Sequence, residues 1–142
     1  MAIKNYTTSI SVEKTAMEIQ KGLADHKACA VMTEYDEGVL THISFRLKTP
    51  EGVIPFRLPA NIDRVYVCIQ RSEKVPKRLR TREQAARVAW RIVKDWVAAQ
   101  LAIVEAEMVD MVEVFLPYAQ GSDGETVYDR FKKSPQLLLL SS

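Results

Sequence analysis

A chain of 142 residues with 20 Lys or Arg and 18 Asp or Glu has a formal charge of only +2. That total gives no reason to expect nucleic acid or an anionic membrane as a partner. With 47% apolar residues, the length suits one domain that buries a true core. No stretch approaches the roughly 18 uncharged apolar residues of a membrane span, and the opening MAIKNYTTSISVEK lacks a signal-type apolar run. A soluble, cytoplasmic protein without membrane contact is expected.

Taken in chain order, Ser9 or Ser11 suits the cap of a first helix running to about Asp25. Within it Val12, Ala16, Ile19 and Leu23 recur at helical spacing and form a narrow core-facing stripe. Two β-rich runs follow, ACAVMTEY and VLTHISFRL, separated by Asp36, Glu37 and Gly38, which reads as a short hairpin. A second turn at KTPEG leads to GVIPFRL, completing a three-stranded antiparallel meander whose Pro55 places the third strand at an edge or bulge.

After Pro59, ANIDRVYVCIQRS reads as a second helix started by Ala60 or Asn61, with Val65, Cys68 and Ile69 inward, although RVYVCIQ also suits a strand. Cys29 and Cys68 both stand in apolar runs and are expected as small buried thiols of a reducing compartment rather than a disulfide. SEKVPKRLR is a basic connector broken by Pro76.

Residues 81–116, without Gly or Pro, read as one helix capped by Thr81 and ended by Pro117. At 1.5 Å per residue it spans roughly 54 Å, whereas a compact chain of this size has a radius of gyration near 14 Å. From Trp96 to Val104 its only polar residue is Gln100, so it needs apolar cover around most of its circumference. One small chain is not expected to supply that cover, and the helix is expected to mediate oligomerisation. The expected organisation is a single α+β domain over residues 1–118 and a loop-rich tail over 119–142, with a helical turn at Thr126 to Phe131 and an apolar end, QLLLL.

Charge is divided along the chain. Between Arg71 and Lys94 stand nine Lys or Arg and two Glu, while from Asp95 to Asp129 there are eight acids and no Lys or Arg. A basic first half opposes the helix macrodipole, at some tenths of a kcal/mol per charge, so the arrangement asks for a reason. Arg80, Gln84, Arg87, Arg91 and Lys94 or Asp95 fall on one helical stripe. One reason is antiparallel pairing with Glu107, Asp110 and Glu113 of a second copy. The other is an anion site in which Arg87 and Arg91 hold phosphate oxygens. The segment PFRLPANIDR adds Arg57, Phe56 and Asn61 as an arginine, an aromatic ring and a helix start suited to a nucleotide; Arg57 as a plain strand residue remains open. Trp90, Trp96, Met108 and Met111 read as core. His26 and His42 lack metal-ligand spacing, and no phosphate loop, GxSxG or HExxH occurs. No metal, cofactor or catalytic residue is expected.

Three stretches, IKNYTTSISVEKTAMEIQ, ISFRLKTPEGVIPFRLPANID and RTREQAARVAWRIVKDWVAAQLAIVEAEMVDMVEVFLPY, cover roughly residues 3–118. Through them the sequence resembles the Thoeris anti-defence sponge proteins of phages, which bind cyclic ADP-ribose isomers made by bacterial TIR-domain enzymes. The resemblance implies an α+β protein of the host cytoplasm that sequesters a cyclic nucleotide without cleaving it. It further implies a dimer or hexamer with ligand held at subunit interfaces. It carries no ligand residue position by position, so Arg57, Arg87, Arg91, Phe56, Asn61, Arg80 and Gln84 stand as candidates on the residue reading alone. The alternatives are a nucleic-acid-binding regulator using KVPKRLRTREQAARVAWR and a purely structural assembly factor.

Overall fold

The computed structural model describes residues 2–140; Met1 and the last two residues of the expected tail lie outside it. The first helix, α1, is Val12–Asp25, with the Ser11 hydroxyl accepting from the Lys14 N–H at 3.1 Å. Ala16, Ile19 and Leu23 are buried, as their spacing predicts. Strands β1 (Ala28–Asp36), β2 (Val39–Thr49) and β3 (Gly52–Pro59) form an antiparallel sheet in that order. Glu37 and Gly38 take φ of 49° and 81°, the doubly left-handed turn that matches strand twist and closes the β1–β2 hairpin in two residues.

Alternation along the strands places Ile43, Phe45 and Leu47 with Phe56 and Leu58 on the face toward α1 and the long helix. Phe45 stacks on Phe56 with centroids 4.9 Å apart. The opposite face carries Met32, Glu34, His42, Ser44, Arg46 and Arg57, and among the described residues no helix packs across it. Pro55 does lie on an edge strand, and that edge is closed: Pro55 O accepts the Gln120 N–H at 2.8 Å and Phe56 bridges Ala119.

Helix α2 is Ile62–Arg71, capped by Asn61, and α3 is Arg82–Glu105, capped by Thr81. With a single 3-10 turn at Lys77–Leu79 they enclose a second small core of Ile69, Val75 and Ala85. Cys68 points outward from α2, and Cys29 lies at an irregularity of β1, so both thiols are exposed and free rather than buried.

The long helix is shorter than its sequence suggests. It ends at Glu105, Glu107 turns left-handed at φ 61°, and Asp110 caps a new short helix, α4, Met111–Phe115, followed by a 3-10 turn at Leu116–Tyr118. The return packs Phe115 against Phe45 and Trp96, and Tyr118 against Trp96. A left-handed non-glycine residue costs about 1–2 kcal/mol, whereas burying Phe115 and Met111 contributes about 1.5–3 kcal/mol each. Folding back therefore wins over continuing into solvent. The cover expected from a second chain for the stretch Trp96 to Val104 comes from α1, the sheet and this returning segment, leaving Ala98, Ala99 and Ala102 exposed. Met111 is core, but Met108 sits on the turn and is exposed.

Beyond Ala119 the tail forms a bridge between Gln120 and Thr126 and helix α5, Val127–Lys133, with Thr126 and Asp129 as a reciprocal cap. No described helix is long and apolar enough to cross a membrane.

Candidate binding site

The starts of α1, α2 and α3 and the β1–β2 turn meet around an open cavity of about 810 Å³. Three caps make this possible: Ser11, Asn61 and Thr81 each take a backbone N–H at 3.1 Å, so each helix begins at a defined point. The caps Ser11 and Asn61 themselves line the space, while α3 borders it with one flank of its first two turns, Arg82, Glu83, Ala86 and Arg87. Its lining includes Arg82 and Arg87 against the acids Glu13, Asp36, Glu37, Asp63 and Glu83.

Arg87 is the cation with donors to spare. Its Nε donates to Gln84 Oε1 at 2.9 Å, the side chain is half-buried, and among the described residues it has no carboxylate partner. Arg82 is committed differently, to an ion pair with Asp63 and to the face of Tyr66 at 5.1 Å, which ties α2 to α3 at the rim. Asn61 also lines the cavity, its side-chain oxygen occupied as a cap.

The other candidates lie elsewhere. Phe56 is wholly buried in the sheet core and offers no face to a base, which corrects its reading as a stacking group. Gln84 is buried and straps the N-terminal segment to α3, its Nε2 donating to the carbonyls of Tyr6 and Thr8 at 2.9 Å. Arg80 donates from Nε to Val75 O at 2.9 Å and from Nη2 to Ser72 O at 3.1 Å, closing the end of α2. Arg91 pairs with Glu18 of α1 at 2.9 Å, and Lys94 approaches the same carboxylate at 4.0 Å. The basic stripe is real, but most of its members have partners within the chain, and they do not converge on one pocket. Burying the α1–α3 contact brings Glu18 beside Arg91, which answers the question that the unfavourable dipole placement raised. Asp95 is likewise engaged: Asn5 donates to it at 2.9 Å and Lys4 pairs with it at 3.0 Å, and these hold its carboxyl below the usual range.

Arg57 stands on the open sheet face in a polar cluster. It grips Glu34 through Nε at 3.0 Å and Nη2 at 3.1 Å, Ser44 donates to Glu34 at 3.0 Å, and His42 Nδ1 lies 3.4 Å from Arg57 Nη2. The Arg57 hydrogen bonds hold the Glu34 carboxyl below its ordinary value. Burial first, and the Arg57 charge second, lower His42. Among the described residues no three His, Cys, Asp or Glu side chains are grouped to hold a metal.

Compared with family models, with curated proteins and with solved structures, the chain finds no match in any of the three.

The hairpin turn, Tyr35 to Gly38, forms a wall of the cavity that the local sequence does not announce as such. Its signal was present as a turn, but only the packing of α1 beneath the sheet brings it to the helix starts.

Proposed function

We propose that the protein binds a small nucleotide of the cyclic ADP-ribose class in the cavity at the three helix starts and holds it without turnover. Such a role would make it a phage anti-defence sponge of the Thoeris type. The observation that carries this reading is Arg87, half-buried beside about 810 Å³ of open space with guanidinium Nη donors that no carboxylate among the described residues takes. That volume is within the roughly 300–1,000 Å³ of small-molecule sites. Five acids against two arginines disfavour a bare polyanion. A glycocyclic ADP-ribose suits the mixture: its pyrophosphate meets Arg87 and the helix starts, and its ribose hydroxyls donate to Asp36, Glu37 or Asp63. One charged hydrogen bond contributes roughly 1.5–3 kcal/mol and nanomolar capture needs about 12, so enclosure by a second subunit, in a dimer or hexamer, would supply part of the remainder.

Calorimetry with cyclic ADP-ribose isomers tests the reading. Binding with intact ligand recovered after heat denaturation is expected. No heat at high micromolar protein, or a cleaved ligand, overturns it.

A second reading rests on a different observation. Arg71, Lys74, Lys77 and Arg78 are exposed around the connector and have no ion-pair partner among the described residues. They suit phosphates of a nucleic acid, and affinity for a duplex would then fall with salt at about one unit of logarithmic slope per phosphate neutralised. A salt-independent or absent interaction removes this reading.

A further inference from the structure

The two edges of the sheet are treated differently. The β3 edge is closed by Ala119 and Gln120, whereas β1 has no backbone partner along its outer side among the described residues. Bare strand edges are templates for another strand, and proteins commonly blunt them with Pro, Lys or bulges. The central run of β1, Ala30 to Glu34, has none of these: its pairing with β2 stays in unbroken register, and the two irregularities lie beyond its ends.

We propose that a second copy of this chain occupies that edge, with the two β1 strands antiparallel about a twofold axis at Met32, joining two three-stranded sheets into one of six. Residues opposite one another across an antiparallel pair share a face, so a symmetric pairing must centre on a residue. Centring on Met32, the midpoint of the regular run, sets Ala30 against Glu34 and Val31 against Thr33. Counted through the extra residue at Cys29, the same register brings Lys27 of each copy opposite Asp36 and beside Glu37 of the other, twice over. A slip of two residues in one direction sets Asp25 against Asp36, like against like, and in the other sets Lys27 against Gly38. Parallel pairing opposes acids to acids.

Apolar surface accompanies the edge. Met17 on α1 and Met32 on β1 are 69% and 56% exposed, and a shallow groove of about 460 Å³ runs between the helix and the strand, lined by Met17, Ala24, Ala28 and Val31 with Gln20 and Lys21 beside them. The twofold axis, perpendicular to the sheet, puts both α1 helices on one side, where each Met17 approaches the groove of the other copy. This interface does not use α3 and shares only the turn residues Asp36 and Glu37 with the rim of the cavity, and its test reads the dimer with no nucleotide present.

Cross-linking tests the register. In a Cys29→Ser, Cys68→Ser background, Met32→Cys is expected to run mostly as a disulfide dimer after mild oxidation, because residues on the axis meet their own copies. Val53→Cys, equally exposed but on the far strand, is expected to stay monomeric. A Met32→Cys protein that remains monomeric at about 100 µM, a concentration far above that of a specific micromolar dimer, overturns the proposal, as does equal cross-linking of Val53→Cys. Charge exchange gives a second reading: Lys27→Glu and Asp36→Lys each weaken the dimer about threefold to tenfold, and the combined exchange restores it. Additive weakening in the combined variant overturns the pairing.

Discussion

Trp96 and Phe115 meet edge to face with ring centroids 5.5 Å apart and planes at 81°. A straight helix through both would hold them about 28 Å apart. The contact is therefore the signature of the reversal at Glu107, and two substitutions read it. Phe115→Ala should cost about 3–5 kcal/mol in urea unfolding, because the ring is fully buried between Phe45 and Trp96.

Glu107→Gly separates the reversal from a continuous helix by sign. At φ 61° glycine relieves the left-handed strain, so stability should hold or rise by up to about 1 kcal/mol. Inside a continuous helix the same change would lower stability by about 1 kcal/mol.

Arg87 and Arg91 stand one turn apart on α3, yet they should respond differently. Arg87→Ala is expected to weaken cyclic nucleotide binding about tenfold or more, since its Nη donors have no carboxylate partner among the described residues, and to cost about 1 kcal/mol of stability through the lost Nε bond to Gln84 Oε1. Arg91→Ala is expected to lower stability by about 1–3 kcal/mol, because it strips Glu18 and Thr15 of a partner in a half-buried contact. Binding lost equally in both variants, with stability intact, would contradict this division.

Gln84→Ala should release the N-terminal strap. The buried amide serves two carbonyls, at Tyr6 and Thr8, and its loss should cost about 1–3 kcal/mol. Hydrogen exchange should accelerate in residues 4–10 before it does in α3.

The pH dependence follows from the cluster on the open sheet face. His42 is lowered from its ordinary 6.5, so the unfolded chain takes up its proton first as pH falls. The stability associated with neutral His42 is present above pH 6.5 and is lost as pH falls through the folded value. Glu34, lowered from 4.5, acts in the same direction at lower pH: its contribution is present above 4.5 and lost below it. A proton NMR titration should find the His42 midpoint below 6.5, and His42→Gln should flatten the upper part of the stability profile. A midpoint above 6.5 would contradict the geometry.

The order of elements was legible from local signals. Ser9 or Ser11, Ala60 or Asn61, and Thr81 announce three helix starts, of which the structure uses Ser11, Asn61 and Thr81; Asp36 to Gly38 announces a hairpin, and the alternation around Phe45 and Phe56 a one-sided sheet. The extent of α3 was not legible, because residues 106–110 contain no glycine or proline, and their turn is favoured only by rings packed from elsewhere. Cys68 went astray for a related reason: an apolar run does not say which side of the helix meets α3.

The candidate site divides along the same line. That arginines cluster before Lys94 is a property of the sequence, and so is the mismatch with the helix dipole. Which arginine retains free donors is decided by the tertiary structure alone, since Glu18, Asp63 and the carbonyls of Ser72 and Val75 reach Arg91, Arg82 and Arg80 only after α1, α2 and α3 pack. A charge is written in the chain; its partner is set by long-range packing, where burial outweighs every local preference.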